Sequence, residues 1–130
     1  MCIRDSNRGM AAGADLYAVD YIPSFTDAIT MQLHLNSNVL VTNSSYSNGC
    51  NGGYTNTART VDEQCFDNPT LMHVFSAGNS NGLECGFGAG EQWGNITGGH
   101  KQGKNVIAVA NTNKVGSIEN SSSRLSLIHI

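Results

Sequence analysis

The sequence predicts an α/β fold built on a parallel sheet, and three observations carry that prediction. Apolar runs of strand character alternate with apolar stripes at helical spacing, in the order β-α-β-loop-α-β-loop-β. The runs at 39–42 and 106–110 are almost continuously apolar, as strands covered on both faces are. The Asn-, Gly- and Ser-rich stretches all follow strands, where open α/β sheets carry their sites.

Taken in order, residues 15–20 form a short β-prone run after Gly13. Ser24 then reads as a helix N-cap, with Pro23 just outside and Asp27 three residues on, a variant of the capping box. Phe25, Ala28, Ile29 and Leu33 give that helix one apolar stripe. The strand at 39–42 leads into a polar stretch from Asn43 to Asn56, punctuated by Gly49, Gly52 and Gly53. Ala58, Val61, Cys65 and Phe66 predict a second helix, which stops before Asn68-Pro69 because proline disfavours helix at the residue preceding it. Residues 71–75 read as a strand ending at Ser76-Ala77-Gly78-Asn79. Between Gly82 and Gly103 eight of the 15 glycines crowd around Trp93, which predicts a long surface loop. Residues 106–110 form the last strand.

Composition narrows the function classes. The 130 residues carry seven Lys and Arg against ten Asp and Glu, a net charge of −3, and no basic run, so a nucleic-acid partner is not expected. No apolar stretch approaches the ~18 residues of a membrane span. With 39% hydrophobic and only 13% charged residues the chain can bury a core. The first and last hexapeptides are related through their codons. ATG TGT ATA AGA GAC AG reads as Met1 to Ser6, and its reverse complement reads as Leu125 to Ile130. Residues 1–6 and 125–130 are therefore expected to be translated sequencing-adaptor ends, with the biological piece at 7–124.

Three local site readings compete. Gly86-Phe87-Gly88-Ala89-Gly90 has the spacing G-x-G-x-G, whereas a dinucleotide fingerprint needs G-x-G-x-x-G between strand and helix. Cys50, Cys65, Cys85, His73 and His100 could be drawn into a metal site, but no C-x-x-C pair supports one, and no metal is expected. Cys65 falls on a helix stripe as a core thiol, His73 within a strand as a hydrogen-bonded framework residue, and His100 in the Gly-rich loop as a solvated one. Cys50 and Cys85 lie in loops after strands. A disulfide between them would be worth about 3–4 kcal/mol by loop closure and would imply an oxidising compartment; two free thiols are the alternative. The third reading is acyl transfer at Asn79. An Asn side-chain N–H at a strand end can stabilise the oxyanion of a tetrahedral intermediate without adding a titrating charge. A plain Asn-Ser-Asn-Gly turn is the competing account.

Several blocks together resemble the subtilisin-like serine peptidases, or subtilases. Residues 9–19, with Leu16-Tyr17-Ala18-Val19, are similar to the family's G-V-A-P-x-A-x-L-Y-A-V segment, and residues 39–46 to its D-V-I-N-x-S-x-G strand. Residues 74–82 are similar to V-x-A-A-G-N-x-G, residues 105–110 to x-V-I-A-V-G, and Ser121-Ser122-Ser123-Arg124 to the start of F-S-S-R-G-P. The resemblance implies a partial doubly wound parallel sheet, the central portion of the family's catalytic domain. It implies that Asn79 is the oxyanion-hole asparagine. Ser45, Tyr46 and Ser47 would be the edge that pairs with the substrate backbone, and Ala77 and Gly78 the opposite wall of the S1 pocket. The substrate would be a polypeptide bound as an extended strand. Tyr46 and Ser47 depart from the commoner Leu-Gly, which leaves the pocket's shape open.

Family order is Asp, His, then Ser, and none of His34, His73 or His100 stands in an H-G-T context. The triad is therefore expected outside this chain, which alone should be inactive. The resemblance further implies a secreted or cell-surface location. No cofactor is required, and calcium in the intact enzyme has no assigned site. The alternative is a non-catalytic binding or adhesion domain on a decayed scaffold of the same family.

Overall fold

The computed structural model describes residues 11–19, 27–46, 54–81, 96 and 98–124. Its elements run α1 (Asp27–Ser37), β1 (Val41–Ser44), α2 (Asn56–Asp67), β2 (Met72–Ser76), a 3₁₀ turn (Gly99–Gln102) and β3 (Ile107–Val109). The three strands form one parallel sheet in the order β1-β2-β3, a partial α/β fold. Register pairs Ser44 with Phe75 and Phe75 with Ala108, so all three carboxyl ends emerge on one edge. No helix among the described residues is long and apolar enough to cross a membrane.

Each helix follows from its local chemistry, with one rotation the stripes did not anticipate. Thr55, extended at φ −91° and ψ 171°, caps α2 by accepting from the Ala58 N–H at 3.4 Å. Asn68 closes it, its backbone and side-chain N–H groups both donating to the Gln64 carbonyl at 3.0 Å, just before Pro69. Ala58 and Val61 are buried as expected, but Phe66 is 81% exposed. The buried arc of α2 is centred between Val61 and Cys65, and Phe66 lies about 110° around the helix from it. Asp62 and Gln64 occupy that arc instead. In α1, Thr30 is buried and Ile29 and Leu33 are half-buried, while Ala28 turns outward, on the far side of Ile29. The Ser24 cap and Phe25 lie outside the described residues. Asn38, at φ +54°, ends α1 in the left-handed conformation Asn tolerates. His34 Nδ1–H then donates to the Val39 carbonyl at 2.7 Å.

The strands are covered on one face only. Thr42, His73 and Phe75 point toward α2 and the 3₁₀ turn. On that face Gln64 Oε1 can only accept, so His73 Nε2–H donates to it at 3.0 Å, and the Thr42 hydroxyl donates to Nδ1 at 2.8 Å. His73 is thus the framework residue the sequence suggested. The opposite face leaves Val41 at 58% exposure, with Met72, Ile107 and Val109 near half. The expectation of strands buried on both faces is corrected: these four side chains are exposed. Residues 15–19, expected as a β-prone run, carry no secondary structure and pair with no described strand. With α1 and β1 they line a hollow of about 1190 Å³.

A buried carboxylate ties the second layer to the sheet. Asp62 accepts from the Asn105 N–H at 2.7 Å, the Lys104 N–H at 3.0 Å and the Tyr54 hydroxyl at 2.7 Å. Lys104 Nζ also sits 5.0 Å from the Tyr54 ring centre. Burial opposes ionisation of Asp62, but these donors outweigh it and hold its carboxyl below the usual range. A depressed folded pKa gives stability that is present at neutral pH and lost as pH falls through the folded value. Urea midpoints should therefore drop on acidification below about pH 4, the ordinary aspartate range. Asp62→Asn should flatten that drop and cost roughly 1–3 kcal/mol at neutral pH.

Candidate active site

The site sits where β1 and β2 release the chain side by side. Ser45 is exposed just beyond Ser44, and Ser47 lies outside the described residues. Tyr46 is half-buried, its ring edge-on to Phe75 at 6.3 Å and to His100 at 5.7 Å. His100 is itself buried and stacked on Phe75 at 5.8 Å and 19°. This corrects the reading of His100 as solvated: the end of the Gly-rich loop folds into a 3₁₀ turn beneath the strand ends. Tyr46 accordingly packs as framework, leaving Ser45 and its backbone as the open part of that edge.

Across from it, residues 77–81 form a turn held from two directions. Ala77 is buried, and its N–H donates to the Val109 carbonyl at 2.9 Å, extending the β2–β3 pairing by one residue. The Ser123 N–H donates to the Gly78 carbonyl at 2.9 Å, and the Ser80 N–H donates to Ser123 Oγ at 3.0 Å. The Asn81 N–H reaches the Ser121 carbonyl at 3.4 Å, and its side-chain amide donates to the Asn120 carbonyl. Asn79, between these anchors, is exposed, and its carboxamide bonds to no other described residue.

Residues 121–123 reach this position because the chain doubles back after β3. Asn113 Oδ1 accepts from the Val115 and Ser117 N–H groups, both at 3.0 Å, and Gly116 takes φ +84°. Thr112 and Ile118 then pair antiparallel. Ser122 Oγ accepts from the Asn111 N–H at 3.1 Å, so both Ser122 and Ser123 are buried. Their role as struts beneath the turn has no periodic signal in the sequence. Lys101 was missed for the same reason, lying in a Gly-rich stretch of no pattern. It is buried, and burial lowers its ammonium pKa.

The competing site residues separate. Cys50, Cys85 and the 86–90 glycine run lie outside the described residues. Cys65 is half-buried on α2 as a free thiol, and burial raises its pKa. Among the described residues no three His, Cys, Asp or Glu side chains converge as metal ligands.

Gly78 has φ +112°, and a Cβ there would lie 2.9 Å from Ser123 Oγ. Gly78→Ala should therefore destabilise the chain by about 1–3 kcal/mol, read as a lowered urea midpoint with an unchanged slope. Ser123→Ala should cost less and lie in the same direction.

No curated protein and no solved structure matches the chain. A family model described as the subtilase family matches residues 4–128, nearly the whole length. That span contains the parallel sheet, the turn at 77–81 and the returning segment at 121–123, and so the chain belongs to the subtilase family.

Proposed function

We propose that the chain is the central part, residues 7–124, of the catalytic domain of a subtilisin-like serine endopeptidase. In this reading residues 1–6 and 125–130 are adaptor-derived. The chain supplies the oxyanion donor and part of the substrate cleft, and the Asp, His and Ser of the triad stand elsewhere in the intact protein. One observation carries the reading: the Asn79 carboxamide is exposed and uncommitted, on a turn whose other residues are anchored. A preorganised amide of this kind stabilises developing negative charge without having to reorganise as the reaction proceeds. The bare face of the sheet, with Val41, Met72, Ile107 and Val109 exposed, is what a part of a larger domain would present.

In the intact enzyme, His takes the proton of Ser as the hydroxyl attacks the scissile carbonyl, and Asp orients the imidazole. The carbonyl oxygen becomes negative between Asn79 Nδ2–H and a backbone N–H. His gives that proton to the leaving amine as the peptide C–N bond breaks and the acyl-enzyme forms; it then takes a proton from the attacking water and returns it to Ser as the acyl–oxygen bond breaks. The polypeptide would lie as a strand along Ser45, with the side chain preceding the scissile bond against Ala77 and Gly78. A secreted or cell-surface setting follows from the same reading.

In the intact enzyme, Asn79→Ala should lower kcat by about 10²–10³-fold, the magnitude oxyanion donors carry in subtilisin itself, with KM little changed. A loss confined to KM would remove Asn79 from that role. The isolated chain should hydrolyse no peptide. An open reading frame lacking either H-G-T upstream or G-T-S downstream would favour a binding domain on a decayed scaffold.

A further inference from the structure

The Asn79 carboxamide has a second chemistry open to it. Asparagine is thermolabile, because the backbone nitrogen that follows it can attack its side-chain carbonyl carbon. A small residue in that following position leaves the approach clear, and here it is Ser80. The carboxamide is exposed and bonds to no other described residue, so nothing holds Asn79 Cγ away. What is held is the attacking atom. The Ser80 N–H donates to Ser123 Oγ at 3.0 Å, and Ser123 is 1% exposed. Ser123 is itself fixed, its N–H donating to the Gly78 carbonyl at 2.9 Å. The chain carries its own comparison at Asn120-Ser121, in a turn after β3. Both residues are exposed there, and neither the Asn120 carboxamide nor the Ser121 N–H bonds to another described residue.

We infer that Asn79 is a latent deamidation site, which Ser123 holds closed by occupying the Ser80 N–H. In the reaction the Ser80 nitrogen gives its proton to water and its electron pair forms a bond to Asn79 Cγ. The Cγ–Nδ2 bond breaks, and the amide nitrogen leaves as ammonia with a proton taken from water. A second water opens the cyclic imide at either carbonyl, giving aspartate or isoaspartate, so water is the only co-reactant. A hydrogen-bonded Ser80 N–H can neither lose its proton readily nor turn its nitrogen toward Cγ. The reaction therefore proceeds only from the fraction of molecules in which the bond to Ser123 has opened. Its consequence for catalysis rests on the proposed peptidase function: an aspartate at 79 removes the oxyanion donor and adds a like charge beside the oxyanion.

The test incubates the full 130-residue chain at mildly alkaline pH, native and in urea, and follows each asparagine by peptide mass spectrometry as ammonia is exchanged for water. In urea Asn79 and Asn120, each followed by serine, should react at similar rates. In the native chain Asn79 should lag Asn120 by about fivefold or more. Ser123→Ala removes the hydroxyl and keeps the backbone bond to Gly78. It should raise the native rate at Asn79 by a similar factor and leave Asn120 unchanged. Equal native rates at the two sites in the unaltered chain overturn the inference, whatever the variant does. A Ser123→Ala rate at Asn79 no higher than before, or one that rises only in step with Asn120, overturns the role given to the hydroxyl. Neither readout uses peptidase activity, so these failures leave the peptidase reading standing.

Discussion

The structure turns on Gly78 and the strand of contacts beneath it. At φ +112° its backbone is open only to glycine without strain, and its carbonyl is held by the Ser123 N–H. That bond sets where the 77–81 turn stands relative to the end of β2, and so where Asn79 points. Ser123 also receives the Ser80 N–H, which ties both sides of Asn79 to one buried residue. A donor that must meet a transient charge is useful only if its position is set in advance. Here the positioning comes from backbone and hydroxyl bonds, and the carboxamide itself is left uncommitted.

A second tie acts at the opposite end of the sheet. Asp62 receives main-chain donors from Lys104 and Asn105 at the entry to β3, and the hydroxyl of Tyr54 just before α2. Gly103 permits the close approach, since a Cβ there would come within 3.1 Å of Asp62 Oδ1 and of Val61 and Val106 methyls. Helix α2 is thereby fixed against β3, and through Gln64 and His73 against β2. The layer under the site is polar as well as apolar, with Asp62, Gln64 and His73 tied into it by hydrogen bonds.

The two faces of the sheet differ in kind. One carries His73, Phe75 and Thr42 against α2 and the 3₁₀ turn, and the other shows aliphatic side chains to solvent. Strands so apolar are built for cover on both sides. The segment at 15–19 has the same character: Leu16 is 86% exposed and no described strand pairs with it.

Much of the fold was legible in the sequence, because the signals that create it are local. Proline after Asn68 ended α2 where expected, alternation of strands and helices implied a parallel sheet, and Ala58 and Val61 marked the face of α2 that packs. His73 could be read as framework because a histidine within a buried strand must satisfy both ring nitrogens. The outward turn of Phe66 and the burial of Asp62 were not legible, since a stripe gives a helix's periodicity but its neighbours choose the rotation. Asn79 could be singled out from its place at a strand end and from resemblance to a family. The struts that aim it could not. Ser122 and Ser123 lie more than 40 residues from Gly78 in sequence and come beneath its turn only after the chain has passed β3 and doubled back at 112–118, whereas Lys101 comes near from the 3₁₀ turn before β3. The sequence by itself determined the elements, their order and the amide donor. Only the tertiary structure decided which groups hold that donor and which charge lies beside it, because those contacts are made between segments that no local pattern relates.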